Sequence, residues 1–224
     1  MFNLRQGLFM TNAQPLGTKR KRAPSKRALE TKARVFDAAE KIFAISGYDG
    51  ATIRDIAAEA GEPVGTIHHH GGGKNALFHQ TVARRADALS RARLAALEQV
   101  KAAGTPPLEA VIGAFMRPFF DLLAEDPAWR DYARLVAFVS ADDRWRDISA
   151  ECFDQTAGIF LAELQKLLPL ASRQQVAEGF AFSVAAMIAL LTSRERIGTL
   201  GAGSSTEDAQ IDHLIRFCAA GMVV

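Results

Sequence analysis

Cysteine is scarce in this chain. The two thiols of its 224 residues, Cys152 and Cys218, stand far apart. That fits neither a disulfide framework nor a metal cluster, and a reducing, cytoplasmic setting is expected. Long apolar runs are missing too. The most apolar stretch, Phe180 to Leu191, is shorter than the roughly 20 residues that span a bilayer, so no membrane association is expected. Met1 to Met10 holds one arginine and no sustained apolar segment, unlike a secretory signal, and Met10 is an alternative start. Alternating β-branched runs are absent, which leaves little for a sheet. Carboxylates are scattered and no Ser/His/Asp or Cys/His arrangement stands out, so neither an enzyme nor a bound cofactor is expected.

What remains is 49% hydrophobic and 23% charged, the balance of a globular chain. The length suits one mid-sized domain, or a small one fused to a larger one, with a core big enough to hold a ligand cavity.

The net charge of +2 hides a split. Residues 1–34 carry nine basic residues (Arg5, Lys19, Arg20, Lys21, Arg22, Lys26, Arg27, Lys32 and Arg34) against Glu30 alone, while residues 35–80 and 81–224 are each slightly acidic. Residues 1–24 also hold Gly7, Pro15, Gly17 and Pro24 and lack apolar periodicity, so they read as a flexible basic arm. A basic arm on a small domain suits a polyanion such as DNA; a solvated tail that aids solubility has the same composition.

From Ser25 onward the pattern is helical. Helices are expected over 25–46, 53–60, 63–70, 74–103, 108–125, 127–140, 144–168, 173–197 and 206–220. Pro118 should kink the fifth, and a Gly/Ser loop should fill 198–205. The punctuation carries these limits: Gly47, Gly61 and Gly71–Gly73 as stops, Thr52 and Ser172 as N-caps, Pro106, Pro107 and Pro169 as breaks.

Two short helices joined at Gly61 form a helix-turn-helix. The first, Ile53 to Ala60, is suited to cross a phosphate backbone. The second is short enough to lie in a major groove about 12 Å wide. Ile56, Val64 and Ile67 are expected to bury the inner faces, with Ala57 and Ala60 keeping the helices close.

The block resembles the DNA-binding domain of TetR-family transcriptional repressors. The match is Thr52-x-x-x-Ile56-Ala57-x-x-Ala60-Gly61-x-x-x-Gly65-Thr66-Ile67, then Lys74-x-x-Leu77-Phe78, over about residues 28–80. The resemblance implies an all-α fold. It would comprise a flexible basic arm over 1–24, a three-helix helix-turn-helix domain over 25–80, and a larger helical ligand-binding and dimerisation domain over 81–224. It also implies the DNA contacts: Thr52, Arg54 and Lys74 on phosphates, Gly65 and His68 on the exposed side of the recognition helix, and Thr66 and His69 at base edges.

Three departures stand out. Pro63 replaces a hydroxyl-bearing cap, Glu62 brings negative charge near DNA, and Gly71 stands where the family usually has an anchoring phenylalanine. Loss of such a ring typically costs ~3–5 kcal/mol in a packed core. Either Tyr48 or Phe78 fills the space, or the recognition helix is loosely held without DNA; Gly71-Gly72-Gly73 points to the second.

The neighbouring motifs carry no further chemistry. His68, His69 and His70 point about 100° apart on a helix and cannot converge on one metal. Gly71–Lys74 lacks the upstream glycine, the following Ser or Thr and the preceding strand of a phosphate loop.

The C-terminal part is rich in aromatics. Together with the resemblance they imply an apolar effector cavity lined by Phe119, Leu123, Tyr132, Phe138, Phe153 and Met187, with Arg134 or Gln155 orienting a polar end. A broad apolar stripe with small residues (Ala177, Phe180, Ala181, Val184, Ala185, Ile188 and Leu191) calls for a second copy. The expected partners are therefore double-stranded DNA, a small apolar or aromatic effector, and another copy in a homodimer. Its palindromic operator would present half-sites ~34–36 Å apart. The helix from Lys74 would carry the ligand's signal. The alternative is a constitutive DNA-binding protein that leans on the basic arm and reads little sequence.

Overall fold

A computed structural model describes residues 25–201 and 205–223, and the basic arm lies outside them. Among the described residues there is no strand.

Helix α1 spans Lys26–Gly50, with Ser25 accepting the Ala28 N–H at 3.3 Å as its cap. It breaks direction at Gly47, where φ is 65° and ψ 177°. Helix α2 is Ile53–Ala60 and α3 is Val64–Gly71. Between them Gly61 adopts a left-handed conformation at φ 63°, ψ 30°. Its N–H and that of Glu62 bond back to Ala58 and Ala57. An L side chain is strained there, which makes Gly61 the pivot of the turn.

Helix α4, Lys74–Ala102, links the two ends of the molecule. Helix α5, Leu108–Glu125, runs on through Pro118, and α6 is Trp129–Ala141. The long helix expected over 144–168 is divided. A 3-10 turn, Asp143–Trp145, leads into α7, Arg146–Ser149; a π turn, Ala150–Asp154, follows, then α8, Gln155–Leu167. Asp142 starts this sequence by accepting the Arg144 N–H at 2.9 Å, and Trp145 and Ile148 turn inward.

Helix α9 is Arg173–Thr192, five residues shorter than expected, and a separate α10 occupies Arg194–Leu200. Ser172 and Gln175 form the capping box that starts α9. Helix α11, Glu207–Met222, is capped by Thr206 and lies along α9. Counting only Phe180–Leu191 understated α9. Its most apolar 18-residue window has a mean hydropathy of 1.6 and is, by length and composition, apolar enough to cross a membrane.

Two cores hold these helices. One gathers Val35, Phe43, Ile56, Ile67, Leu77 and Phe78. It also takes in Leu135, Val139, Trp145 and Ile148 from beyond residue 80, so the N-terminal helices rest on α6 and α7. The other core centres on Leu97, Met116, Phe119, Tyr132 and Phe160. The Tyr132 hydroxyl bridges toward the first core by donating to the Val82 carbonyl at 3.0 Å.

Candidate functional site

The helix-turn-helix surface follows from local chemistry. Thr52 caps α2 by accepting the Asp55 N–H at 3.1 Å, and its hydroxyl donates to the Asp55 carboxylate at 2.6 Å. Arg54, in the same first turn, is exposed and makes no ion pair among the described residues. A helix N-terminus with an uncommitted guanidinium beside it favours phosphate.

In α3, Ile67 is fully buried and turns the polar residues outward. Gly65, His68 and His69 are exposed and Thr66 is half-buried. His68 Nδ1 lies 3.0 Å from the Gly72 carbonyl, which leaves Nε2 for an outside partner. His70 is partly buried, and desolvation holds its pKa below the usual histidine range. Lys74 opens α4 at the edge of this surface. Its ammonium donates to the Asp49 carbonyl at 3.3 Å and stands 4.6 Å over the Tyr48 ring.

The departures from the family pattern find structural answers. Pro63 precedes α3 and leaves it without a side-chain cap. Glu62 is ion-paired with Arg34 of α1, which offsets its charge. Gly71 leaves no gap, because a Cβ built there would meet Leu77 Cδ1 at 2.5 Å. Leu77, rather than Tyr48 or Phe78, occupies the space, and Gln80 donates to the Gly71 carbonyl at 3.2 Å. Val64 is a correction. It is 40% exposed, because the first residue of α3 precedes the turn that meets the core. An exposed methyl pair on this face suits a thymine methyl group.

Aromatic spacing placed the effector residues less well. Phe119, Tyr132 and Met187 are packed in the second core. Phe153 is half-buried between the two cores and Gln155 is exposed. Phe138 is 42% exposed and lines no internal space, because α6 turns Leu135 and Val139 inward on its other side. The void among Phe115, Phe160, Phe180 and Met222 holds about 10 Å³, room for about one water.

The large pocket lies elsewhere, between α5, α6, α9, α10 and α11. It encloses about 910 Å³ and takes in Leu123 and Arg134 of the expected set. Phe120, Leu190, Leu191 and Ile211 give it apolar walls; Arg130, Arg194, Arg196 and Gln210 give it polar ones. Nothing in the sequence marks these arginines off from a solvated helix face.

Contacts tie pocket to helix-turn-helix. Helix α6 presents Arg130 and Arg134 to the pocket and packs against α1. Glu40 of α1 accepts two bonds from Arg85 Nε, at 3.0 and 2.9 Å, and Arg85 also donates to Asp126 at 3.2 Å. Arg144 grips Asp49 at the end of α1 with two bonds, at 3.3 and 3.0 Å.

Comparison with known proteins agrees with this geometry. Residues 35–81 match the family model of bacterial regulatory proteins, tetR family, and residues 113–221 match the tetracyclin repressor-like C-terminal domain. The fold is similar to that of a TetR-family transcription regulator from Shewanella sp. PV-4, at 16% identity and TM-score 0.63, covering 87% of this chain and 98% of that one. A TetR-like transcriptional regulator from Rhodococcus sp. RHA1 is similar at 15% identity and TM-score 0.58, covering 90% and 96%. The hemolysin II transcriptional regulator HlyIIR shares 16% identity and TM-score 0.55, covering 85% and 97%. No curated protein matches the sequence.

Proposed function

The chain belongs to the TetR family of transcriptional regulators, and from that premise we propose that it is a ligand-responsive repressor acting in the cytoplasm as a homodimer. The observation that carries the DNA-binding part is α3 itself. Ile67 is buried while Gly65, His68 and His69 face outward, between an uncommitted Arg54 and Lys74. Thr52, Arg54, His68 and Lys74 take phosphates; Thr66 and His69, beside Gly65, read base edges. Phosphate contacts position the protein and base contacts choose the sequence.

The dimer reading rests on α9 and α11. Only 28% of the most apolar window of α9 is buried, and Phe182 and Phe217 are 71% and 66% exposed. A broad apolar face of this kind is stabilised by a second copy. Two copies related by a two-fold axis present two recognition helices to a palindrome.

The effector reading rests on the 910 Å³ pocket, a volume typical of small-molecule sites. A ligand there bears on α6, and α6 bears on α1. It shifts DNA affinity only by binding the two conformations unequally. Catalysis has no part in this reading.

The test is a set of substitutions assayed on a library of duplexes. Thr66→Ala and His69→Ala relax sequence preference, whereas Arg54→Ala and Lys74→Ala weaken binding to all sequences and lower its salt dependence. Unchanged preference in both of the first pair overturns the base-contact assignment.

A further inference from the structure

The large pocket has a charge pattern that a purely apolar effector leaves unanswered. Four arginines line it, Arg130, Arg134, Arg194 and Arg196, against two carboxylates, Glu195 and Glu207. Arg194 is paired with Glu207 at 2.9 Å, and Arg134 with Asp131 at 3.3 Å. Among the described residues Arg130 and Arg196 have no carboxylate partner. The excess is therefore positive, on two guanidiniums from different helices. Gln210, on the same wall, keeps a buried amide oxygen with no hydrogen-bond partner. That oxygen is an acceptor, so it takes no part in holding an anion.

The remaining wall is apolar: Phe120, Leu123, Leu190, Leu191 and Ile211. One site thus offers a hydrocarbon surface and a fork of cationic donors. Both arginines are exposed; guanidinium groups match the planar geometry of a carboxylate, and charge-assisted bonds are stronger than neutral ones. The central void of about 10 Å³ has room for about one water, whereas this pocket holds about 910 Å³.

We propose that the pocket selects an amphipathic organic carboxylate, its hydrocarbon part against Phe120, Leu123, Leu190 and Ile211 and its carboxylate held by Arg130 and Arg196. This deepens the effector reading above and rests on it. The anion draws α10, which carries Arg196, toward α6, which carries Arg130. Helix α6 is the element that packs on α1, so the charge of the ligand is what couples binding to the DNA-facing helices.

The experiment uses the full chain and matched probes: octanoate against octanol and octylamine, and hydrocinnamate against its alcohol. Calorimetric titration and thermal shift give the readout. The carboxylates bind and raise Tm, while the alcohols and the amine bind at least about tenfold more weakly. Arg130→Gln and Arg196→Gln each weaken carboxylate binding about ten- to a hundredfold, and Arg196→Lys recovers part of the loss. Equal binding of acid and alcohol, tighter binding of the amine, indifference to both glutamine variants, or binding of no probe at millimolar concentration overturns the proposal. If no probe binds but the chain still selects a defined DNA sequence, the carboxylate inference fails and the regulator reading stands. If the chain selects no sequence, the regulator reading fails as well.

Discussion

Gly71, the last residue of the recognition helix, lies against Leu77 so closely that a Cβ there would be 2.5 Å from Leu77 Cδ1 and 3.0 Å from its Cβ. Leu77 is fully buried. The glycine and the leucine therefore form one packing unit. Gly71→Ala should destabilise the fold by about 1–3 kcal/mol and weaken DNA binding, by displacing the end of α3. Gly71→Phe should be worse, although the family usually has an aromatic ring at this point. Chemical denaturation and a DNA titration check both; a stabilised Gly71→Phe variant would contradict the packing described.

Arg34 and Glu62 set the charge at the start of α3. The pair is partly exposed, and such pairs add little stability. Its effect belongs to DNA binding. Arg34→Ala should leave Tm nearly unchanged and weaken DNA binding several-fold, because it removes a cation and uncovers an anion. Glu62→Gln should strengthen binding at low salt. Equal affinities for wild type and both variants would show that this charge lies too far from the DNA.

Glu40 is almost fully buried, and desolvation raises its pKa above the ordinary 4.5 in spite of Arg85. The folded chain thus holds this proton to higher pH than the unfolded chain. Its contribution to stability is fully present below pH 4.5 and is lost as pH rises through the raised value. Asp126, lowered from 3.8 by the Ala128 N–H and by Arg85, behaves oppositely: its contribution is present above pH 3.8 and fades on acidification. Glu40→Gln should therefore gain stability relative to wild type as pH rises from 4.5 toward neutrality, in thermal melts. Glu40→Ala, which also leaves a buried gap beside Arg85, should cost about 3–5 kcal/mol.

Arg93 is a buried cation without a carboxylate among the described residues. Burial pushes its pKa down to about 9, so it remains charged at neutral pH. Its Nε donates to the Phe115 carbonyl at 2.9 Å, in the turn that Pro118 disturbs, and its guanidinium lies 3.7 Å from the Phe115 ring centre. Arg93→Met keeps the bulk and removes the charge, and should stay within about 1 kcal/mol of wild type. Arg93→Ala opens a cavity and should cost about 3 kcal/mol or more. Equal losses in the two variants would mean that charge, not volume, is what matters there.

Features set by neighbours in sequence were legible. Thr52 and Ser172 cap their helices as expected, and Gly61 makes the turn, because each depends on residues within one turn. Features set by residues distant in sequence were not. The break at Asp142 and the π turn at 150–154 accompany the inward packing of Trp145 and Ile148. Apolar periodicity is the same for a core as for a cavity wall, so Phe119, Tyr132 and Met187 looked like lining and proved to be packing. Arg130 and Arg196 looked like solvated charge and proved to line the pocket. The burial of Glu40 and Arg93 likewise depends on what faces them across the fold.

Everything proposed for the DNA-facing surface requires sequence-specific binding by a two-fold dimer. The most direct measurement is selection of bound duplexes from a random DNA pool at near-physiological salt, using the full chain. A two-fold dimer enriches a palindrome whose half-sites lie about one helical turn apart, ~34–36 Å. Salt-sensitive binding to every sequence, with no enrichment, would contradict it and favour a constitutive DNA-binding protein that relies on its basic arm.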